Sequence, residues 1–235
     1  MISVIIPTYN EEKNVENCLK SLLNQTLPRK EYEIIVVDGQ SKDKTVKIAK
    51  KYADKVIQQK SKGVGGARND GVKLAKYDLI ATTDADCLVH KDWLERIKEN
   101  FKNNKFICFY GKQEPLENTF KNRLYLKFLN TGIQIVYYFQ VYLTVGANMA
   151  FRKKQFLSVG GYKNYNAGDD FELPLRLKKK GKLKYDSKMK VLFSMRRYEE
   201  CGLVKTLINW LINVLKSKYN LNISVDGYTR KNYKK

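Results

Sequence analysis

The chain has 235 residues and only one histidine, His90, which leaves no room for a histidine-based nucleophilic triad or a multi-histidine metal centre. Its four cysteines, Cys18, Cys87, Cys108 and Cys201, contain no C-x-x-C pair. That spacing argues against a zinc knuckle or a disulfide framework and suits a reducing, cytoplasmic setting. Acids are also scarce, 24 against 45 Lys and Arg, for a formal charge of +21. No secretory leader is expected, because Met1 runs straight into an apolar strand and then Glu11 and Glu12. An uninterrupted membrane span is missing as well. The uncharged stretch 128–151 is long enough to cross a bilayer, but Asn130, Gln134, Gln140, Gly146 and Asn148 interrupt it, so it reads as a buried helix and strand.

What is present fits a folded protein: hydrophobic residues make up 43% and aromatics 12%, enough for a core and against global disorder. With so little histidine, catalysis has to rest on carboxylates. The basic excess concentrates late, with 17 basic and four acidic side chains from Arg176 to Lys235. Such a field favours anionic partners without choosing among nucleic acid, anionic lipid and phosphorylated substrates.

Along the chain, "ISVIIP", "EYEIIVVDG", "DKVIQQ" and "YDLIATTD" read as short buried strands. Helical patterns lie between them, in "TYNEEKNVENCLKSLLNQ", "SKDKTVKIAKKYA" and "GARNDGVKLAK". The alternation predicts an α/β fold with a mostly parallel, Rossmann-like sheet flanked by helices. Beyond residue 105 it becomes less regular: a strand at "FICFYGKQ", a helix from 119 to about 140, and a helix in "DDFELPLRLKKKG" with Pro174 expected in its first turn. Three regions are expected: 1–112, where the alternation is regular, 113–200, where it is not, and 201–235, a C-terminal amphipathic helix and basic tail. The first two form one continuous domain.

Ligands of such sheets sit beyond the carboxyl ends of the strands. Thr8 to Glu11, Asp38, Asp84 and Asp86 all fall at those ends and should converge on one rim. If strand geometry persists through residue 86, Asp84 and Asp86 point the same way and offer hard oxygen donors to Mg²⁺ or Mn²⁺. A turn with a helix cap is the plainer alternative. "GVGG" lacks the G-K-[ST] ending of a phosphate loop and a strand directly before it.

Five motifs in order, "VIIPTYNEE", "IVVDGQSKDKT", "GARNDGVKLAKYDLIATTDAD", "VGANMAFRKKQFLSVGGY" and "GDDFELPLRL", resemble glycosyltransferase family 2 over roughly residues 2–182. The resemblance implies a GT-A fold with a smaller acceptor-side lobe, with 1–112 the nucleotide-sugar-binding half and 113–200 the acceptor-binding and catalytic half, and inverting transfer of a sugar from a nucleotide-diphosphate donor. By the same resemblance Pro7, Thr8, Tyr9, Asn10, Glu11 and Asp38 hold the base and ribose, and Arg68 approaches the nucleotide or diphosphate. Asp84 and Asp86 form the D-x-D pair for a divalent cation, Mn or Mg, with Asp86 the more direct ligand, and Asp170 is the catalytic base. The sequence departs from the family at "DGQSKD", where Asp-Asp-Gly-Ser-Thr-Asp is common, and at Asp169-Asp170, where Glu-Asp is common. The Q-x-x-R-W signature of processive synthases is missing near Leu173 to Leu177, which points to a single transfer.

The segment 203–216, "LVKTLINWLINVLK", has an apolar arc of roughly 200° with Lys205, Thr206, Asn209, Asn213 and Lys216 opposite. It is expected either to lie in a membrane interface or to pack on protein. Together with the net charge, it favours a glycan or lipid-linked acceptor, such as a polyprenyl phosphate, and peripheral contact at the inner face of the membrane. Rival readings are a basic nucleic-acid-binding protein and a nucleotidyltransferase on a similar sheet. No nucleic-acid partner is expected, since no recognised module appears and strand-end acids repel phosphate.

Overall fold

Strand β1 (Ile2–Thr8) is buried along its whole length because a parallel neighbour flanks it on each side, β2 (Tyr32–Asp38) and β4 (Leu79–Thr82). The computed structural model describes residues 1–163 and 169–202, with Ile208 and Ile212 in addition, so the amphipathic segment 203–216 otherwise lies outside the described residues. Strand β3 (Lys55–Gln58) completes the parallel block on the far side of β2. Helices α1 (Val15–Leu23), α2 (Thr45–Ala49) and α3 (Gly63–Leu74) make the crossovers. In α1 the buried residues Val15, Cys18, Leu19 and Leu22 follow the spacing of one helical face.

After β4 the chain forms β5 (Leu88–Val89), α4 (Trp93–Asn100), β6 (Phe106–Pro115), α5 (Phe120–Tyr138), β7 (Met149–Arg152) and α6 (Lys153–Ser158). Helix α7 (Asp169–Leu177), β8 (Lys182–Phe193) and α8 (Arg196–Cys201) follow. All eight strands of the described residues join one sheet, ordered β3-β2-β1-β4-β7-β6-β8-β5. The mostly parallel expectation holds as far as β4. Strand β7 then runs antiparallel to both β4 and β6, while β6 and β8 are parallel.

Two cores cover the two faces of the parallel block. Ile2, Val4 and Ile6 pack with Leu19, Trp93 and Ile97 on one side, while Ile5, Ile35 and Val37 pack with Ala67 and Val72 on the other, as a period of two requires. Helix α3 approaches closely because residue 71 is glycine: a Cβ there would lie 3.0 Å from Val37 Cγ2 and closer still to Ile5.

Three local expectations need correction. The first helix begins only at Val15, because residues 10–14 are committed to the rim loop described below. Pro174 is not in the first turn of α7 but is its sixth residue. Strand geometry does not persist to residue 86: β4 stops at Thr82, and the amide of Cys87 donates to the carbonyl of Asp84 at 3.1 Å, so the two acids sit in a turn. The uncharged stretch 128–151 divides between α5 and β7, and no helix among the described residues is long and apolar enough to cross a membrane.

Candidate active site

The strand ends converge on one rim, knit by side chains that donate to or accept from backbone. The Thr8 hydroxyl donates to Asp38 Oδ1 at 3.2 Å, and the Gly39 amide donates to the Thr8 carbonyl at 2.8 Å. Asp38 also accepts from the Ser41 amide (2.9 Å) and the Ser41 hydroxyl (2.6 Å). Ser41 turns back because Gln40 adopts a left-handed backbone, φ 71°, and Asn10 opposite does the same at φ 53°. Asn10 then donates its amide to Ser41 Oγ and accepts from the Lys42 amide, both at 2.8 Å. Left-handed non-glycine residues are held only where their surroundings over-determine them, and here two facing loops supply that restraint. Within the expected donor segment, Pro7 and Thr8 are buried in β1, while Tyr9, Asn10 and Glu11 reach the rim half-buried.

Four acids and two arginines occupy the middle. Arg68, buried on α3, donates through Nη2 to Asp84 Oδ1 at 2.7 Å and through Nη1 to Asp170 Oδ1 at 3.2 Å. Arg196, the first residue of α8, donates through Nη2 to Glu11 Oε1 at 2.6 Å and to Asp86 Oδ2 at 2.9 Å. Asp84 and Asp86 therefore meet different cations, although their charges still act on each other. Burial, then the nearby charges of Asp84 and Glu11, push the Asp86 carboxyl up to about 6, against the pull of Arg196. Asp170 is also raised, mainly by loss of hydration, with Arg68 and a backbone hydrogen bond from Gly146 opposing.

The placement of Asp170 has a local cause. Pro174 has no N–H to give the carbonyl four residues earlier, and that carbonyl belongs to Asp170. The hydroxyl of Thr144 donates to it instead. Two residues on, Gly146 leaves room for Arg68, since a Cβ at that position would collide with the guanidinium. The ring of Tyr162 faces the same guanidinium at 5.6 Å. Around Arg68 the other letters of "GARND" hold backbone: Asn69 donates to the Tyr162 carbonyl (2.7 Å) and accepts from its amide (2.9 Å), and Asp70 accepts from the amides of Lys60 and Ser61.

The structure thus brings Glu11, Arg68, Asp84, Asp86 and Asp170 into one connected site, with Asp38 ordering the loop beside it. Sequence reasoning missed Arg196, Thr144, Gly146, Asn69 and Tyr162. Their segments, "SMRRYEE", "VGANM" and "VGGY", were in view, but no spacing rule links them to the acids. Among the described residues no set of three or more His, Cys, Asp or Glu side chains forms a ready metal cage.

The sequence model of Glycosyl transferase family 2 matches residues 3–160. Glycosyltransferase AglE of Haloferax volcanii is 39% identical over 101 residues, covering 40% of this chain and 33% of that protein. Poly(ribitol-phosphate) beta-glucosyltransferase of Bacillus spizizenii is 34% identical over 142 residues, 57% of this chain and 22% of that protein. The chain thus spans a third or less of the length of these relatives. Mannosyltransferase PcManGT from Pyrobaculum calidifontis, solved with GDP-Man and Mn²⁺, superposes with a TM-score of 0.75 at 19% identity, over 96% of this chain and 66% of that one. At that identity the likeness establishes the shared GT-A fold. Since the family match runs from β1 through α6 and takes in five of the six charged residues expected at the site, all but Asp170, the chain belongs to glycosyl transferase family 2.

Proposed function

We propose that this protein is an inverting glycosyltransferase that moves one sugar from a nucleotide-diphosphate donor to an acceptor hydroxyl. The observation that carries the reading is the Arg68 bridge: one buried guanidinium holds Asp84, on the donor side, next to Asp170, on the acceptor side. The acceptor oxygen forms its bond to the anomeric carbon as the carbon–oxygen bond to the diphosphate breaks. The nucleoside diphosphate leaves with that electron pair, and the acceptor proton passes to Asp170. A carboxyl raised by burial is a stronger base than a solvated one, and such general-base assistance is typically worth about 10²–10⁴-fold. Arg68 opposes that rise and aims the carboxyl.

The residues also fit a divalent ion. With Glu11, Asp84, Asp86 and Asp170 all ionised against Arg68 and Arg196, the cluster retains two negative charges, which one such ion would balance. The donors are carboxylate oxygens, suited to Mg²⁺ or Mn²⁺, and Mg²⁺ sites of one or two carboxylates completed by substrate phosphates are common. Asp86, with Asp84 or Glu11, would hold the ion, which when bound supplies positive charge to the departing diphosphate. Arg196 already occupies the same oxygens and would compete for them. Tyr9, Asn10, Glu11 and the loop ordered by Asp38 provide the nucleotide's seat. The mannosyltransferase with GDP-Man and Mn²⁺ supports both the donor class and the ion. For the acceptor, the basic surface and the relative that acts on poly(ribitol-phosphate) support an anionic glycan or lipid-linked molecule met at a membrane surface.

A thermal-shift screen of nucleoside diphosphates and their sugars, with and without Mn²⁺, tests the reading, because a ligand specific for the native state raises the melting temperature. A selective donor with a metal-dependent shift and release of nucleoside diphosphate is the expected result. Pyrophosphate released from a triphosphate, or Asp86→Ala leaving sugar transfer intact, would overturn it.

A further inference from the structure

Helix α5 carries apolar side chains on two opposite faces. Its inner face, with Leu126 and Ile133, packs on the body, where Ile133 joins Tyr110, Leu143, Phe171 and Tyr185. On the outer face Phe120 (73% exposed), Leu124, Phe128 (71%), Ile135, Tyr138 and Phe139 (76%) stand in solvent. At 3.6 residues per turn these six fall within a sector about 100° wide, along the roughly 28 Å of a 19-residue helix. An outward helical face is ordinarily polar, and a continuous exposed apolar patch marks an interaction site.

The margins identify the partner. Exposed Lys121 and Lys127 lie on either side of the stripe with Arg123 beyond, and no aspartate or glutamate occurs between positions 118 and 168. At its C-terminal end the stripe meets an open cleft of about 440 Å³ lined by Phe106, Tyr137, Tyr138, Tyr142 and Lys182, rings and a cation of the kind that settle at headgroup depth. A second copy of the chain packed stripe to stripe would set Lys121 and Lys127 against the same lysines and leave these cations uncompensated, since Glu199, the acid that touches α5, does so at Asn122 on its buried side. Lipid phosphates would compensate them. Since α5 is not apolar and long enough to span, it would lie in the plane of the interface.

We propose that the outer face of α5 docks on an anionic phospholipid surface. Phe171, the neighbour of Asp170, belongs to the cluster closed by the inner face of α5, so docking would place the acceptor side of the site close to the membrane. The inference deepens the membrane-presented acceptor and rests on that reading for its purpose, while the docking is measured without any transfer reaction.

The experiment is co-sedimentation of the full chain with vesicles of phosphatidylcholine, alone or mixed with phosphatidylglycerol. The expected result is partitioning onto the mixed vesicles, lowered roughly tenfold or more in Phe120→Ser/Phe128→Ser. Lys121→Glu/Lys127→Glu should lower it as well, and salt should weaken wild-type binding. Both pairs are exposed, so melting temperatures and any donor-induced shift should match wild type; Phe139→Ser serves if the first pair fails to fold. Vesicle binding unchanged in the phenylalanine variants overturns the proposal. So does a concentration-dependent wild-type dimer in sedimentation equilibrium that those variants abolish, which would make the face a homodimer contact. A donor screen without a hit would remove the glycosyltransferase reading and leave the vesicle result standing.

Discussion

The two arginines of the rim make the same kind of contact in different settings. Arg68 lies in the middle of a twelve-residue helix with only 2% of its side chain exposed, in a space kept open by Gly146 and faced by Tyr162. Arg196 begins a six-residue helix, is 27% exposed, and spans two carboxylates that would also suit a metal ion. A buried charge pair is costly to break because the orphaned partner stays buried, whereas a partly solvated one can exchange partners. On the proposed function, Arg68 belongs to architecture that persists through the reaction and Arg196 to charge that would give way to a divalent ion.

The sharpest way to press on the Arg68 side is its partner Asp170, the proposed base. Asp170→Asn should lower turnover by about 10²–10⁴-fold while nucleotide affinity, read by calorimetry, stays near wild type. Near-normal turnover would mean that the acceptor arrives already ionised, as a phosphate would. Next, Arg68→Met should cost about 3–5 kcal/mol of stability in denaturant titration, since it leaves Asp84 and Asp170 without their shared cation. Arg196→Gln should act in the opposite sense on the ion: with donor absent, Mn²⁺ should bind about tenfold more tightly by calorimetry, because charged hydrogen bonds worth roughly 1.5–3 kcal/mol no longer have to be displaced. If Arg196→Gln instead weakens Mn²⁺ binding, the contrast between the arginines fails.

The smallest effect concerns pH. Asp86 is raised from its ordinary carboxylate value to about 6, so the folded, metal-free protein holds that proton more tightly than the unfolded chain. Its contribution to stability is complete below about pH 4 and disappears as pH rises through about 6. Asp86→Asn, which stays neutral, should therefore match wild type in melting temperature near pH 4 and gain on it between pH 4 and 7, all without metal.

How much of this was legible in the sequence follows a physical division. The parallel block could be read because each strand is a continuous apolar run and each crossover shows its helical period, as in Val15, Cys18, Leu19 and Leu22. Reversal of β7 left no such trace, since three buried residues and a half-buried arginine look alike in either direction. The acids at the strand ends could be found because local rules place them there. Arg68 was singled out only through the family resemblance and Arg196 not at all, and neither could be matched to its acids: Arg68 and Asp170 are 102 positions apart and Arg196 and Asp86 are 110 apart, distances that only the folded sheet bridges. The turn at Asp84 to Cys87 was misjudged because polarity alone does not show where a strand stops pairing. Nor did the period of α5 reveal an exposed apolar side, since a helix apolar all round reads as interior.

Pro174 turns a usual liability into a tether. By withholding one hydrogen, it obliges the helix that carries Asp170 to borrow a hydroxyl from the segment that makes room for Arg68. Alanine there would let the helix close its own ladder and would remove the need for the loan, so a variant that melts later could also turn over more slowly. In this protein the imperfect helix is what keeps Asp170 in step with Arg68.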